Sequence, residues 1–398
     1  MIDATLARDI VGWRREFHRH PEVGFQETWT AARVAAILAG IPGLEVTEGV
    51  AKTGLVVLLR GGHPGPCLLV RADMDGLPIH ELNAHEFRST QDGVMHACGH
   101  DAHMAMQLGA ITYLAARRDE LHGSVKFVFQ PAEEGPGGAK PMIEAGVLTN
   151  PAVEAAIGFH IWNSLPVGKV GMTEGPTMAH TDVFEIEIQG KGGHGAAPHL
   201  SVDSIVVAAH VVTALQTVVA RAVDPLERAV VTVGKLVAGD RHNIIAHTAK
   251  LSGTARSFTP EVAELIPERV ARIAEHTCAA FGATCHLAYK NVYPATVNDG
   301  EMVRRVWASA VKAIGEENVV VARPSMGGED MSFFLQAVPG CFFFIGSANP
   351  AKGIDVPHHH PQFDIDEDAL AIGTTVIVQA ILDYCAADGP ARAGSSAT

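Results

Sequence analysis

No run of ~18 apolar residues occurs anywhere in the sequence, so a membrane-crossing helix is not expected and no membrane partner is inferred. The first twenty residues, MIDATLARDIVGWRREFHRH, lack the charged, apolar, small-residue order of an export signal and read instead as a polar helix. Cysteine is scarce. The six cysteines, at positions 67, 98, 278, 285, 341 and 385, form no CxxC pair and no dense framework, and in an unsignalled chain they read as reduced thiols. Cytoplasm is therefore the expected compartment. Basic residues are outnumbered, 30 Lys and Arg against 44 Asp and Glu; the net charge of −14 argues against nucleic acid as the main partner. Three catalytic signatures are also missing. Without HExxH, GxSxG or GxxxxGK[ST], the zincin, serine hydrolase and P-loop readings have no anchor.

What is present is globular: 47% hydrophobic and 19% charged residues over 398 positions, enough for two to three domains with substantial cores. Leu6, Ile10, Trp13 and Phe17 are spaced for an amphipathic helix that Pro21 stops. Apolar runs at Leu55–Leu59, Leu68–Val70, Val125–Phe129 and Ala156–His160 read as strands, with a helix at Ala102–Arg117. Strands alternating with helices predict an α/β layer with a largely parallel or mixed sheet.

From about Val183 the texture changes. FEIEIQ alternates strictly, a helix follows at Ser201–Ala220, and strands follow at Ala229–Leu236 and Lys250–Ala255. Thr259–Pro260 then opens a helix to about Phe281, and a strand lies near His286–Tyr289. That β-α-β-β-α-β order is the ferredoxin-like pattern. The α/β texture resumes with a helix at Glu301–Ile314, a strand at Cys341–Ile345 and a last helix from Asp366 to Tyr384. The simplest organisation is an α/β domain interrupted by an inserted smaller one, with a disordered tail.

Four segments carry possible chemistry. HACGHDAH, His96 to His103, is placed in a loop just before a helix; Cys98 and His100 both reach one ion from an extended turn there. Thiolate and imidazole suit zinc and other first-row divalent metals, although a polar loop with incidental histidines is the plainer reading. In QPAEEGPGGA, after a strand, Glu134 suits a metal ligand and Glu133 a proton carrier; a solvated pair is the commoner meaning. His160 sits inside an apolar strand, where a hydrogen-bonded core histidine is the commoner meaning. His358 to His360 stand between prolines, where a ligand is plausible. All four segments fall at strand ends or in loops of one α/β unit, and ligands in open α/β sheets gather at one such edge. GKGGHG, Gly190 to Gly195, formally matches a dinucleotide fingerprint but lacks the surrounding parallel βαβ and a clearly placed acidic partner.

Taken together, these segments make the chain resemble the aminoacylase and hippurate hydrolase branch of the dinuclear metallopeptidases related to carboxypeptidase G. The resemblance runs from about Leu6 to Tyr384 through RREFHRHPEVGFQET, RADMDGLPI, MHACGHDAHMAM, FQPAEEGPGGA, GFHIW, GKGGHGAAPH, HNIIAH, GTARSF, MGGEDMSFF and HHPQFD. It implies a metallopeptidase-type catalytic domain with a mixed sheet flanked by helices, over residues 1–183 and 297–386. It also implies an inserted ferredoxin-like α+β lid or dimerisation domain over 184–296, leaving a tail at 387–398.

The resemblance further implies Cys98, His100, Glu134, His160 and His359 as metal ligands, Cys98 bridging two ions, with Mn²⁺ or Zn²⁺ as the metal. Glu133 resembles the general base acting on the attacking water, and Asp75 the carboxylate that orients the site. Related branches carry HxD where this chain has Asp73-Met74-Asp75, and His100 is expected to replace the missing histidine. His194 resembles a residue that reaches a neighbouring subunit's site and polarises the scissile carbonyl. Asn243 and Arg256 resemble groups that hold the substrate's carbonyl and carboxylate. His18 and Asp101 are expected in supporting roles. The implied activity is amide hydrolysis of N-acyl-amino acids (N-acetyl, N-benzoyl or indole-acetyl conjugates) by a homodimer or homotetramer. A metallo-dipeptidase or carboxypeptidase, and a non-catalytic binding protein with a structural metal, remain as alternatives.

Overall fold

Strands Gly54–Arg60 and Gly340–Ala348, and His63–Asp73 from Pro66 onward, are buried along nearly their whole length, the pattern of strands covered on both faces. The computed structural model describes residues 2–387; of the tail expected at 387–398, residues 388–398 lie outside them. The chain divides into two units. The first comprises Met1–Thr177, Val297–Pro324 and Asp330–Thr398, the second Met178–Thr296 and Ser325–Glu329.

The first unit is built on an eight-stranded mixed sheet. Its strand order is Leu44–Val50, Gly54–Arg60, His122–Gln130, His63–Asp73, Ala155–Pro166, Gly340–Ala348, Val170–Met172 and Val319–Val321. The four central strands run parallel, with Asp73 opposite Gln130, Arg71 opposite Gly158 and His160 opposite Phe344. Their carboxyl ends therefore emerge on one edge.

Alternation along Gly340–Ala348 divides its side chains between the two faces. Cys341, Phe343 and Ile345 join the main core with helices Ala4–Arg19, His100–Ala115, Gly300–Ile314 and Asp368–Tyr384. On the other face Gly158 lies close under both Phe342 and Met331, the first residue of helix Met331–Ala337. Any Cβ at Gly158 would press into both.

The opening helix, Ala4–Arg19, is capped by Asp3, whose carboxylate accepts from the N–H groups of Thr5 and Leu6. Its inward face holds Leu6, Ile10 and Phe17 as the spacing predicts, and also Arg14 and His18, which are equally buried. A second helix, Thr28–Leu38, was not expected. Thr30, Val34 and Leu38 form its inward stripe, and Glu22 accepts from the N–H groups of Trp29 and Thr30 at its start.

The second unit carries a four-stranded antiparallel sheet in the order Ala229–Ala238, Thr248–Ser257, His180–Gln189 and Thr284–Tyr293. Phe184, Ile186 and Ile188 point into a core shared with helices Ser204–Leu215 and Pro260–Ala280, while Glu185 and Glu187 face outward. The first of these helices is shorter than the Ser201–Ala220 expectation. Asp203 caps its start by accepting from Ile205 and Val206 N–H, and the end loosens into a π-helical turn at Val218–Ala222.

Candidate metal centre

Asp73 ends one parallel strand and Gln130 its neighbour, and His160 stands on the next. The segments that follow the first two, 74–99 and 131–138, thus start from one edge of the sheet. Helix His100–Ala115 begins two residues earlier than its apolar pattern suggests. Gly99 precedes it at φ 88°, a left-handed conformation that glycine adopts without penalty. His100 is consequently the first residue of a rigid helix, a correction to the expected loop placement.

Asp75 ties the pieces together. Its Oδ1 accepts from the Glu133 N–H and its Oδ2 from the Glu134 N–H, each at 3.0 Å. His100 Nδ1 lies 2.9 Å from the Asp75 carbonyl oxygen and 3.2 Å from Oδ1. That nitrogen therefore carries a proton, and the buried Nε2, 3.6 Å from Asp73 Oδ2 and without a hydrogen bond, is the one placed to ligate an ion. Cys98 Sγ and His160 Nε2 are 3.5 Å apart. Glu134 Oε1 and His359 Nε2 approach to 3.0 Å, yet Glu134 Oε1 makes no hydrogen bond of proper geometry.

The donor atoms of Cys98, His100 and His160 lie within 4.8 Å of one another, as do those of Cys98, Glu134 and His359, and those of His100, Glu133 and Glu134. Cys98, His100 and Glu134 are each shared between two sets. An orphaned imidazole nitrogen facing overlapping sets of S, N and O donors fits divalent cations of the first transition row.

The electrostatics favour a cation in the same place. Burial alone would lower the His100 pKa, but Asp73 and Asp75 raise it to about 10. Burial, with Glu134 and Glu133 beside it, pushes the Cys98 thiol well up. Burial also holds His160 well down, assisted by His103 and His358, so its imidazole is neutral and fit to ligate. Burial raises Glu134, but His359 and His100 outweigh it and keep the carboxyl below its usual range. Carboxylates thus stand around a neutral thiol and a neutral imidazole, and a divalent ion would take up the negative charge that otherwise favours a proton on His100.

Three histidines near the cluster have other work. His103 Nδ1 donates to Asp73 Oδ1 at 2.6 Å, and its Nε2 accepts from the Ile161 N–H at 2.8 Å, so both ring nitrogens are spoken for. His358 Nε2 lies 2.9 Å from the Ile161 carbonyl and its ring packs on Trp162 and Phe363. His360 Nδ1 accepts from the Gln362 N–H. Only His359 of this run turns to the cluster. It does so with φ 64°, a left-handed conformation costly for a histidine, held by its N–H to the Ala97 carbonyl at 2.8 Å.

Beneath the cluster lies a network that the sequence reading did not assign. Arg71 donates to Asp73 at 2.7 Å, Gln130 at 2.9 Å and Asp330 at 2.8 Å, all fully buried. Asp330 also accepts from the N–H groups of Gly138 and Ala139, anchoring the far end of the Glu133–Glu134 loop. Glu27 accepts from the Ala132 N–H at 2.8 Å and anchors the near end. The charged residues of RAD in a buried strand, and of GGED, were the available signals. Asp101 is bound by Arg14 at 2.9 Å and His18 at 2.8 Å.

His194, Asn243 and Arg256 belong to the second unit. His194 pairs with Ile244 in a short ladder, and the Gly195 N–H donates to the Asn243 carbonyl at 2.9 Å, so His194 and Asn243 are neighbours. His194 is exposed, its Nδ1 accepting from the Ala196 N–H. Arg256 lies opposite Thr181 on the four-stranded sheet and donates to its hydroxyl. Burial holds its pKa below that of an ordinary arginine.

The model of peptidase family M20/M25/M40 matches residues 69–383. Thermostable carboxypeptidase 2 of Saccharolobus solfataricus is 41% identical over 92% of this chain and 92% of its own. The N-acetylcysteine deacetylase of Bacillus subtilis is 39% identical over 94% of this chain and 96% of its own. A solved Bacillus subtilis structure, described as a dinuclear metal-binding peptidase of the M20 family, superposes with a TM-score of 0.81 at 34% identity, over 96% of this chain and 99% of that one.

Proposed function

The chain belongs to peptidase family M20/M25/M40, and from that premise we propose that it hydrolyses the amide bond of N-acyl-amino acids, releasing a carboxylic acid and a free amino acid. The observation that carries the reading is the overlapping set of donors Cys98, His100, Glu134, His160 and His359, with Glu133 beside them and Asp75 holding His100 and both glutamate N–H groups. A closed structural zinc site ordinarily uses four ligands. Five donors and an adjacent carboxylate suit an open, catalytic pair of divalent ions instead, Mn²⁺ or Zn²⁺. When bound, such ions supply Lewis acidity and make water acidic enough to attack near neutral pH.

The chain's own residues do the rest. Asp75 fixes the His100 tautomer and holds the two glutamate N–H groups in place. Glu133 takes a proton from the attacking water and returns it to the departing amine, a contribution of about 10²–10⁴-fold for positioned acid–base groups. His194 stabilises the oxyanion. Asn243 holds the substrate's carbonyl, and Arg256 pairs with the carboxylate of the amino-acid part. Residues 184–296 serve as lid and dimerisation domain in a homodimer or homotetramer. Cytoplasm is the compartment, which the six free cysteines suit.

The name of the Saccharolobus relative favours a second reading, a carboxypeptidase acting on free peptides. One experiment separates the two. The chelator-stripped protein is reloaded with Mn²⁺ or Zn²⁺ and offered N-acetyl and N-benzoyl amino acids beside unblocked dipeptides. Metal-dependent turnover of the blocked substrates supports the proposal. Turnover of dipeptides alone establishes the second reading, and no turnover of either refutes both.

A further inference from the structure

Between the strand ending at Asp73 and the helix starting at His100, residues 74–99 form only isolated bridges, at Gly76, Leu77 and Met95. Segments that long without helix or strand are uncommon in a compact fold and are functional where ordered. Inside this one, Glu81 and His85 meet His18 from the opening helix. Glu81 Oε1 stands 3.3 Å from His18 Nε2 and 3.3 Å from His85 Nε2. The second approach makes no hydrogen bond, and neither ring nitrogen of His85 has a partner. The three donor atoms lie within 4.8 Å of one another, and Asp364 Oδ2 is 3.9 Å from His85 Nε2.

Tetrahedral coordination at about 2.0–2.1 Å sets neighbouring ligand atoms about 3.3–3.4 Å apart, the spacing of Glu81 from both imidazoles. His18 Nδ1 faces Asp101 Oδ2 at 2.8 Å, the carboxylate–histidine arrangement that turns the other ring nitrogen toward a metal. Asp101, Glu81, Asp364 and Glu367 supply four negative charges here against two from Arg14 and Arg15, a deficit that one divalent cation would balance. A doubly protonated His18 spanning Asp101 and Glu81 explains those two contacts, and stacking on Phe87 explains where the His85 ring lies, but neither gives the two His85 ring nitrogens a partner.

We propose that His18, Glu81 and His85, with Asp364 as fourth donor, form a separate zinc-type cation site that staples residues 74–99 to the helix Ala4–Arg19. It is distinct from the Cys98 centre and does not rest on the reading of that centre. The full-length chain is stripped with chelator, reloaded with excess Zn²⁺, gel-filtered and analysed for zinc per chain. His85→Ala and Glu81→Gln are each expected to hold one ion fewer than the wild type; equal counts in all three overturn the proposal.

A second measurement leaves the new site intact, in case those variants fold poorly. Arg88 is exposed and is the only trypsin target between residues 74 and 99. In a Cys98→Ser, His359→Ala chain, Zn²⁺ is expected to slow cleavage at Arg88 several-fold. An unchanged rate overturns the staple.

Discussion

Asp75 holds His100 from two atoms at once, its carbonyl oxygen 2.9 Å and its carboxylate 3.2 Å from Nδ1, while the same carboxylate accepts the N–H groups of Glu133 and Glu134. One residue thus sets the tautomer of a ligand and the position of the loop that carries both glutamates. Asp75→Asn puts an amide NH₂ against at least one N–H donor. Metal affinity is expected to drop about 10–100-fold, as when other partners of metal-ligating histidines are changed. A calorimetric isotherm like that of the wild type would refute this role.

Glu133→Gln keeps size and removes the basic oxygen. The variant is expected to fold and to hold the same number of ions, with kcat lower by about 10²–10⁴-fold and KM little changed. Retention of most of the turnover would show that another group moves the proton.

The run His358–His360 offers an internal control. His359→Ala is expected to lower the metal content, because His359 is the member that meets Glu134. His358→Ala removes a packed ring and its contact with the Ile161 carbonyl, and is expected to lower stability by about 1–3 kcal/mol. His360→Ala, at an exposed position, is expected to stay within about 0.5 kcal/mol of wild type. Metal analysis and urea melts of the three variants check the ranking; a loss of metal confined to His360→Ala would reverse it.

Arg71 is fully buried between Asp73 and Asp330. Arg71→Met leaves two buried carboxylates without their shared cation and is expected to cost about 3–5 kcal/mol. Lys312→Met breaks a pair with Asp383 whose lysine is 60% exposed and is expected to cost under about 1 kcal/mol. Similar urea midpoints for the two variants would contradict the account of the buried network.

Gly138 closes the glutamate loop against its own start, where an added Cβ would collide with the Pro131 carbonyl oxygen. Gly138→Ala is expected to cost about 1–3 kcal/mol through overpacking and to weaken metal binding, since the backbone must shift near the Asp330 anchor. Wild-type stability together with wild-type metal affinity would show that the loop has room to spare.

Much of this architecture was readable from periodicity. The strands Gly54–Arg60, His122–Gln130 and Ala155–Pro166 announce themselves as apolar runs because both faces of the sheet are covered, and FEIEIQ alternates because only one face of its sheet is. Helix Thr28–Leu38 was missed because its start is capped by Glu22, a residue outside the helix, rather than by a local signal. The start of helix His100–Ala115 was misplaced for a related reason. The helix is buried on nearly every side, so its first turn carries no amphipathic stripe, and only the left-handed Gly99 marks the entry.

By itself, the sequence determined which residue types were available: one cysteine among histidines, a glutamate pair after a strand, a histidine inside an apolar run and another between prolines. Local patterning fixes such things because it depends on neighbours a few positions away. Tertiary structure alone decided which of them meet. Parallel strands bring Asp73, Gln130 and His160 to one edge, and the hydrogen bonds of His103 and His358 commit their rings elsewhere, leaving His100, His160 and His359 to face the cluster. No spacing rule could have sorted these histidines, because a ring nitrogen becomes a ligand or a core hydrogen bond according to atoms that arrive from distant parts of the chain.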